Sequence, residues 1–193
     1  MSKITLASYW RFLLAGLMNQ GQTGAVIPSQ RFLITRMLSP VPEDYRGRIF
    51  ELGAGTGALT LRLAAKCPHA RILACEINPV LAQDIRRTMS AAGLRDRVEV
   101  ISTAAERLLA DQGRTGVERP NFIISGIPLG NLGRDRVLTL IERIRGALPN
   151  GGMYIQFQHS LIDRKKIKTK FARLRTVPVL LNFPPAVVYY AQK

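Results

Sequence analysis

A run of closely spaced glycines is the part of this sequence whose residue types could bind a small ligand. The run Glu51-Leu-Gly-Ala-Gly-Thr-Gly57 follows an apolar stretch that begins at Arg48, and a helical pattern of alanines and leucines follows it. Glycines allow a tight turn and let the backbone approach a ligand without a Cβ in the way. A strand, a glycine turn and a helix N-terminus form a nucleotide site at the carboxyl edge of a parallel sheet, so the run predicts nucleotide binding.

The spacing of the glycines and a nearby acid indicate which nucleotide to expect. Dinucleotide sites use G-x-G-x-x-G and direct a helix N-terminus at a pyrophosphate. This run has G-x-G-x-G, with Glu51 two residues before the first glycine. A carboxylate there repels a pyrophosphate and suits a cationic ligand such as S-adenosylmethionine, which carries a sulfonium and an ammonium group and no phosphate. The alternative is a glycine-rich connection without a ligand, but packing alone explains three spaced glycines poorly.

Small or polar residues end the next three predicted strands, at the edge where the glycine turn is expected. Glu76 ends the second strand, where an acid accepts hydrogen bonds from both hydroxyls of a ribose. After the third strand, the Thr103 hydroxyl or the Ala104 amide could bind the edge of the adenine ring. Ser125 ends the fourth strand, where its hydroxyl or a backbone carbonyl could orient an amine for in-line methyl transfer. The plainer alternatives are an exposed carboxylate at Glu76 and an ordinary strand-to-helix turn after Ser125.

The elements that must position these residues alternate between strand and helix. Strands are expected at Arg48–Leu52, Arg71–Glu76, Val98–Ser102, Asn121–Ser125 and Gly152–Gln158. Helices are expected at 57–67, from Pro79 to a stop at Gly93, at Ala105–Ala110 and at 132–147. This alternation predicts an α/β fold, with a doubly wound, mostly parallel sheet and helices on both of its faces.

Both ends of the chain depart from this alternation. Near the C-terminus, the apolar strands Thr176–Phe183 and Ala186–Ala191 are separated by two prolines, and so short a link predicts an antiparallel hairpin at one edge of the sheet. At the start, residues 4–19 have the spacing of an amphipathic helix that carries Trp10. This helix either packs on the core or lies in a membrane interface. Ser29 is expected to N-cap a following helix that runs from Arg31 to about Leu38.

The charge and cysteine content narrow the possible partners. The 28 Lys and Arg outnumber 13 Asp and Glu, and the net charge of +15 implies an anionic partner, either nucleic acid or a membrane surface. The segment Arg164–Arg175 contains seven cations and no acid, and Phe171 as its one aromatic residue gives little support to base stacking.

Cys67 and Cys75 lack C-x-x-C spacing, so we expect no metal and a reduced, cytoplasmic protein. No apolar run reaches about 18 residues, so no bilayer-spanning helix is expected.

These residues together resemble the bacterial phospholipid N-methyltransferase family, a branch of the class I methyltransferases close to the ribosomal RNA adenine dimethylases. The matching segments are Gly24–Leu33, Glu51–Gly57, Ser125–Leu129, Gly151-Gly152 with Gln156-Phe157, and Leu181–Val187. The glycine motif is common to the whole superfamily, whereas Ser125-Gly-Ile-Pro-Leu129 and Asn182-Phe-Pro-Pro-Ala186 are more specific. Thr103 departs from the pattern, because an Asp is common at that position.

The resemblance implies a Rossmann-like, seven-stranded methyltransferase domain at residues 41–193, with residues 1–40 as an N-terminal helical cap or membrane-contact segment. It implies methyl transfer from S-adenosylmethionine, with S-adenosylhomocysteine as product, to the amine of a phospholipid such as phosphatidylethanolamine. The protein would then be peripheral at the inner membrane face, held by the Trp10 helix and by Arg164–Arg175. Cofactor-binding residues are expected at Ser29, Arg31, Glu51, Gly53, Ala54, Gly55, Gly57, Glu76, Ile77, Thr103, Ala104 and Ser125. Catalytic positions are expected at Ser125, Gly126 and Pro128.

Two other functions remain open from the sequence. RNA adenine N6-methyltransferases typically have the motif N-L-P-Y or N-P-P-Y at the fourth strand, where its aromatic side chain stacks on a flipped base. Ser125–Leu129 contains no aromatic residue, which favours the lipid acceptor. The second alternative is a non-catalytic protein that binds S-adenosylmethionine and associates with membranes.

Overall fold

Strands and helices alternate through most of the chain in the computed structural model, which describes residues 28–112, 118–182 and 184–193. The strands are β1 (Arg48–Leu52), β2 (Arg71–Glu76), β3 (Val98–Ser102), β4 (Phe122–Ser125), β5 (Met153–Gln158), β6 (Arg173–Val179) and β7 (Ala186–Gln192). The helices are α1 (Pro28–Leu38), α2 (Ala58–Lys66), α3 (Pro79–Ala91), α4 (Ala105–Asp111), α5 (Arg134–Ala147) and α6 (Arg164–Lys168), and a 3-10 turn spans Leu129–Asn131. The predicted segment 4–19, with Trp10, lies outside the described residues.

The described strands form one seven-stranded sheet in the order β3-β2-β1-β4-β5-β7-β6. The first five strands are parallel to one another, and β7 is antiparallel to both β5 and β6. The predicted fold, a doubly wound and mostly parallel sheet with a C-terminal antiparallel hairpin, is therefore confirmed. Since β6 points in the same direction as β5, its last residue also lies at the carboxyl edge of the sheet.

Apolar side chains of the sheet alternate between two faces, each covered by helices. In β1, Ile49 packs in a cluster with side chains of α1, α2 and α3. Phe50 and Leu52 belong to a second cluster, with side chains of α4, α5 and α6. Successive side chains of a strand point to opposite faces, so a continuous apolar strand such as β1 has to be covered on both sides. The carboxyl edge is thereby held between two packed layers.

Local signals placed most element ends correctly. The side chain of Asn78 accepts hydrogen bonds from the Val80 and Leu81 amides and caps α3, with Pro79 in the first turn. Gly93 has a φ of 69° and follows the last residues of α3, as the sequence predicted for a glycine that ends a helix.

Two predicted elements have different boundaries in the structure. The helix α1 begins at Pro28, so Ser29 lies inside its first turn and is not the N-cap. Proline fits this turn because its missing N–H would have no partner in the helix. The strand predicted at Thr176–Phe183 begins earlier, at Arg173, and ends at Val179, because the Asn182 amide donates to the Val179 carbonyl in a turn. The basic segment Arg164–Arg175 therefore spans α6 and the start of β6.

Candidate functional site

The glycine turn after β1 is tied to the end of β2 by backbone hydrogen bonds. The amides of Gly53 and Ala54 donate to the Cys75 carbonyl at 2.9 and 3.0 Å. Gly55 has a φ of 58°, and a Cβ placed on it would meet no atom of the described residues within 4 Å. The left-handed backbone therefore favours glycine here, and the described part of the chain leaves the space beside Gly55 open for a ligand. Gly57, with a φ of 79°, is the N-cap residue that precedes α2.

Glu76 joins the glycine turn to the start of α3. The Gly55 amide donates to its Oε2 at 2.8 Å, and the Asn78 amide donates to its Oε1 at 2.9 Å. An ionised carboxylate has about four acceptor positions, so each oxygen keeps one for a further donor. The carboxylate is held in one orientation at the carboxyl edge, and its remaining capacity suits a pair of hydroxyl groups such as those of a ribose.

Glu51 is a buried carboxyl without enough partners. It is 2% exposed, and no hydrogen bond from the described residues reaches its Oε2. Burial raises its pKa from 4.5 to about 8; the nearby Thr60 hydroxyl lowers this pKa and the negative charge of Glu76 raises it further. The Thr60 hydroxyl lies near the Glu51 carboxyl without forming a hydrogen bond of ordinary geometry to it, and it too has no hydrogen-bond partner among the described residues. A buried carboxyl in this condition fits a cationic ligand, which would supply the missing charge.

The loop after β4 lies against the glycine turn. The Gly126 amide donates to the Leu52 carbonyl at 2.9 Å, and a Cβ on Gly126 would lie 2.8 Å from the Gly53 carbonyl oxygen. Only glycine allows this approach. Ser125 is buried, and its Oγ accepts a hydrogen bond from the Ile127 amide at 3.2 Å. The structure therefore brings the predicted catalytic positions beside the predicted cofactor turn.

Two glutamines of β5, which the sequence reasoning did not assign to the site, hold this loop. The side-chain amides of Gln156 and Gln158 donate to the Ile127 carbonyl at 2.9 and 3.2 Å. The Tyr154 hydroxyl donates to Gln156 Oε1 at 2.6 Å, and burial raises the pKa of that tyrosine. These side chains point to one face because they lie two residues apart in a strand. The available signal was this pair of polar residues in an otherwise apolar strand.

The remaining predicted residues differ in how closely they approach the turn. The Thr103 amide donates to the Glu76 carbonyl at 3.1 Å, and Ala104 caps α4, so both lie at the carboxyl edge. Ile77 follows β2 and is exposed beside Glu76. Pro128 begins the 3-10 turn, where its carbonyl accepts the Asn131 amide at 3.0 Å.

The assignments in α1 are not supported by contacts with the turn. Arg31 is exposed and makes no hydrogen bond or ion pair with the described residues, and Ser29 lies in the first turn of the helix. The roles of all these residues in binding and catalysis stay predictions. In the described part of the chain no three His, Cys, Asp or Glu side chains are grouped as metal ligands. None of the described helices has the length and apolar character of a membrane span.

Comparison with known proteins shows that the chain is similar to methyltransferases. A family model described as a methyltransferase domain matches residues 49–152. The chain is similar to an ornithine lipid N-methyltransferase of Singulisphaera acidiphila, with 23% identity over 170 residues that cover 87% of each protein. It is 32% identical over 95 residues to a tRNA1(Val) (adenine(37)-N6)-methyltransferase of Porphyromonas gingivalis, covering 45% of this chain and 35% of that protein.

Solved structures show the same fold at low sequence identity. A precorrin-6y C5,15-methyltransferase of Geobacter metallireducens superposes with a TM-score of 0.64 and 17% identity, covering 89% of this chain and 92% of that one. A SAM-dependent methyltransferase of Agrobacterium tumefaciens superposes with a TM-score of 0.69 and 14% identity, covering 86% of this chain and 63% of that one.

Proposed function

Because this chain belongs to the methyltransferase domain family, we propose that it methylates the amine headgroup of a phospholipid such as phosphatidylethanolamine. The protein is a methyltransferase, and S-adenosylmethionine is its cofactor. The observation that carries the lipid acceptor is the similarity to a lipid N-methyltransferase along 87% of both chains. The matches to RNA methyltransferases cover less than half of this chain.

The chain's own residues would hold the two reactants in place. When bound, S-adenosylmethionine would supply a methyl group carried on a positively charged sulfur. A neutral amine in line with the carbon–sulfur bond would form a bond to the methyl carbon as that bond breaks, and S-adenosylhomocysteine would leave. Glu51 would provide the negative charge for this cationic cofactor, and Glu76 the acceptors for its ribose hydroxyls. The loop at residues 125–128 would orient the acceptor amine, since the glutamine amides fix the Ile127 carbonyl beside the turn. Orientation of this kind is the main contribution that methyl transfer requires from a protein.

RNA is the second candidate acceptor, favoured by the net charge of +15 and by the 32% identity to a tRNA adenine methyltransferase. Against it, the residues that follow β4 are Gly126, Ile127, Pro128 and Leu129, and none of them offers an aromatic ring to a flipped base. The buried Leu129 also lies where such a stacking residue is expected.

The test is to incubate the protein with methyl-labelled S-adenosylmethionine and either total bacterial lipid or total RNA. We expect label in the lipid fraction, in methylated derivatives of phosphatidylethanolamine. A Glu76→Gln protein should lose most of the transfer, whereas a Glu99→Gln protein should keep it, because Glu99 is exposed on β3, away from the turn. Label in RNA instead of lipid would refute the lipid acceptor and support RNA, the second candidate. Cofactor binding without label in either fraction would indicate a non-catalytic binder.

Location at the inner membrane face belongs to the same proposal. The cationic segment Arg164–Arg175 would attract anionic lipid, and residues 1–40 would act as a cap or a membrane-contact segment through Trp10. Part of that cap is described: α1 contributes Leu33 and Met37 to the core cluster that it shares with α2 and α3.

A further inference from the structure

Four large aliphatic side chains are exposed in two loops at the carboxyl edge of the sheet. In the loop after β5, Leu161 is 55% and Ile162 is 74% exposed. In the turn after β6, Leu180 is 77% and Leu181 is 69% exposed. Single exposed leucines are common on soluble proteins, but two adjacent pairs at one edge form a patch that favours a partner. We call residues 159–163 and 180–182 the docking loops.

Hydrogen bonds hold the docking loops next to each other. A ring nitrogen of His159 lies 2.9 Å from the Pro185 carbonyl oxygen, which links the start of the first loop to the residues that precede β7. The Tyr189 hydroxyl donates to the Ser160 carbonyl at 2.9 Å. The strand register agrees, because Gln158 is paired with Val187 at this edge. The two aliphatic pairs therefore project from one end of the molecule.

Each loop is also closed on itself, so its aliphatic side chains point outward from a fixed backbone. The Arg164 amide donates to the Leu161 carbonyl at 3.0 Å. The Asn182 side chain donates to the Pro184 carbonyl at 2.6 Å, and Asn182 itself is buried. In both loops a polar contact faces the protein and leucine or isoleucine faces the solvent. This is the reverse of the distribution expected for a loop whose surroundings are only water.

Cations follow the first docking loop directly. Arg164, Lys165 and Lys168 on α6 are exposed, and no ion pair within the described residues neutralises them. Two other lysines of the same segment are already paired: Lys166 lies 2.6 Å from Asp163, and Lys170 lies 2.5 Å from Glu142. Arg173 and Arg175, at the start of β6, are exposed and outside these ion pairs as well, so the unpaired cations lie at both ends of the segment, three of them directly after the first docking loop. Aliphatic groups beside unpaired cations match the headgroup region of an anionic bilayer.

We propose that the docking loops insert Leu161, Ile162, Leu180 and Leu181 into an anionic lipid bilayer while α6 contacts lipid phosphates. The inference rests on the proposed function, because it brings the carboxyl edge to the surface on which the lipid headgroups lie. Gln158 links the docking loops to the loop at residues 125–128, which we call the acceptor loop. It is the last residue of β5, directly before the first docking loop, and its side chain donates to the Ile127 carbonyl of the acceptor loop. A lipid headgroup therefore reaches the acceptor loop along the same edge of the sheet.

A bilayer fits this surface better than a protein partner does. The four exposed side chains stand beside unpaired cations, whereas the centres of protein interfaces are depleted of charged residues. They also project from two loop tips rather than lining a groove, and insertion of tips requires a fluid partner.

Site-specific labelling tests the insertion directly. Cys67 and Cys75 are both buried, and burial raises the pKa of each thiol, so neither should react readily with a thiol-directed dye. A Leu181→Cys protein can therefore be labelled at one position with an environment-sensitive fluorophore. Leu61→Cys is the matched control, because Leu61 is an exposed leucine on α2, outside the docking loops.

The probe is vesicles of phosphatidylglycerol and phosphatidylcholine in equal amounts, compared with phosphatidylcholine alone. We expect the dye at position 181 to shift to the blue and brighten with the anionic vesicles, while the dye at position 61 does not change. An unlabelled protein with Leu180→Ser and Leu181→Ser should bind these vesicles roughly tenfold more weakly, and Leu61→Ser should not. Reversing Lys165 and Lys168 to Glu should weaken binding at least as much, whereas Arg95→Glu, at the opposite edge of the sheet, should have little effect.

Three results would overturn the proposal. The labelled protein could bind the vesicles with no change at position 181, which would place the contact elsewhere on the chain. The dye at position 181 could already be shielded without vesicles, which would mean that the protein itself or a second copy covers the loops. The protein could also fail to bind anionic vesicles at all. Because these measurements need no methyl transfer, they are independent of an assay with detergent-dispersed phosphatidylethanolamine, which tests the proposed function alone.

Discussion

Replacing Glu51 with glutamine is expected to remove a large pH dependence of stability. Burial raises the pKa of this carboxyl from 4.5 to about 8, with a further increase from the charge of Glu76 and a decrease from the Thr60 hydroxyl. Between these pH values the folded protein keeps a proton that the unfolded chain releases. The stabilisation is therefore fully present below about pH 4.5 and is lost as the pH rises towards about 8.

The size of the effect follows from the two pKa values. A difference of one in pKa corresponds to about 1.4 kcal/mol, so the whole interval changes the free energy of unfolding by about 5 kcal/mol. In a chain of this length, 1 kcal/mol shifts Tm by roughly 2–4 °C, so the Tm of the wild type should fall by about 10–20 °C across the interval. The Glu51→Gln protein keeps a neutral side chain of the same shape, so its Tm should vary much less. Its amide needs a partner of its own, which costs about 1–3 kcal/mol, and the two curves should cross.

Thermal unfolding followed by circular dichroism, without cofactor and from about pH 4.5 to about pH 9, measures this difference. Glu99→Gln is the control, because it removes an exposed carboxyl from β3. If the wild-type and Glu51→Gln curves run parallel, Glu51 ionises in the folded protein as it does in water, and the reasoning is refuted. S-adenosylmethionine at about pH 9 should stabilise the wild type more than the variant, since only the wild type offers a carboxylate to the cation.

Three further outcomes can be measured with single substitutions. Glu76→Ala should weaken S-adenosylmethionine binding in calorimetry by about 1–3 kcal/mol, because the ribose hydroxyls lose their acceptor; unchanged affinity would contradict this role. Gly126→Ala puts a Cβ 2.8 Å from the Gly53 carbonyl oxygen and should cost about 1–3 kcal/mol in urea unfolding, unlike Gly130→Ala, whose Cβ has open space. Gln156→Leu should lower kcat more than it changes cofactor affinity, because it frees the loop after β4; a wild-type kcat would show that other contacts position this loop.

Much of the fold was predictable because its signals are local. Each strand from β1 to β4 is a short apolar run followed by a helical pattern, and α3 has its own markers, Asn78 before it and Gly93 after it, whereas the short basic helix α6 after β5 was not predicted. The errors arose where the markers were ambiguous. Pro28 was able to begin α1 before the expected cap at Ser29, and the apolar Leu180 and Leu181 extended the predicted strand although the structure turns there.

The candidate site likewise contains residues that local sequence patterns predict and residues that they do not. Glu51, the spaced glycines and Glu76 could be predicted from sequence to lie together, because a strand, a turn and a strand end are each defined by neighbouring residues. The amides of Gln156 and Gln158 could not, because they reach the Ile127 carbonyl across the pairing of β4 with β5. Hydrogen bonds between distant segments have no pattern along the chain.

The sequence by itself predicted the enzyme class, because the glycines after β1 and the acids beside them form a local pattern that is typical of methyl-donor sites. Only the tertiary structure decided three other properties. It buried Glu51 with one oxygen that has no partner among the described residues, it placed Gly126 against Gly53, and it brought the loops of Leu161 and Leu181 to one edge. Each of these depends on residues far apart in the chain that meet only when the sheet is assembled, since burial and proximity are properties of the packed molecule.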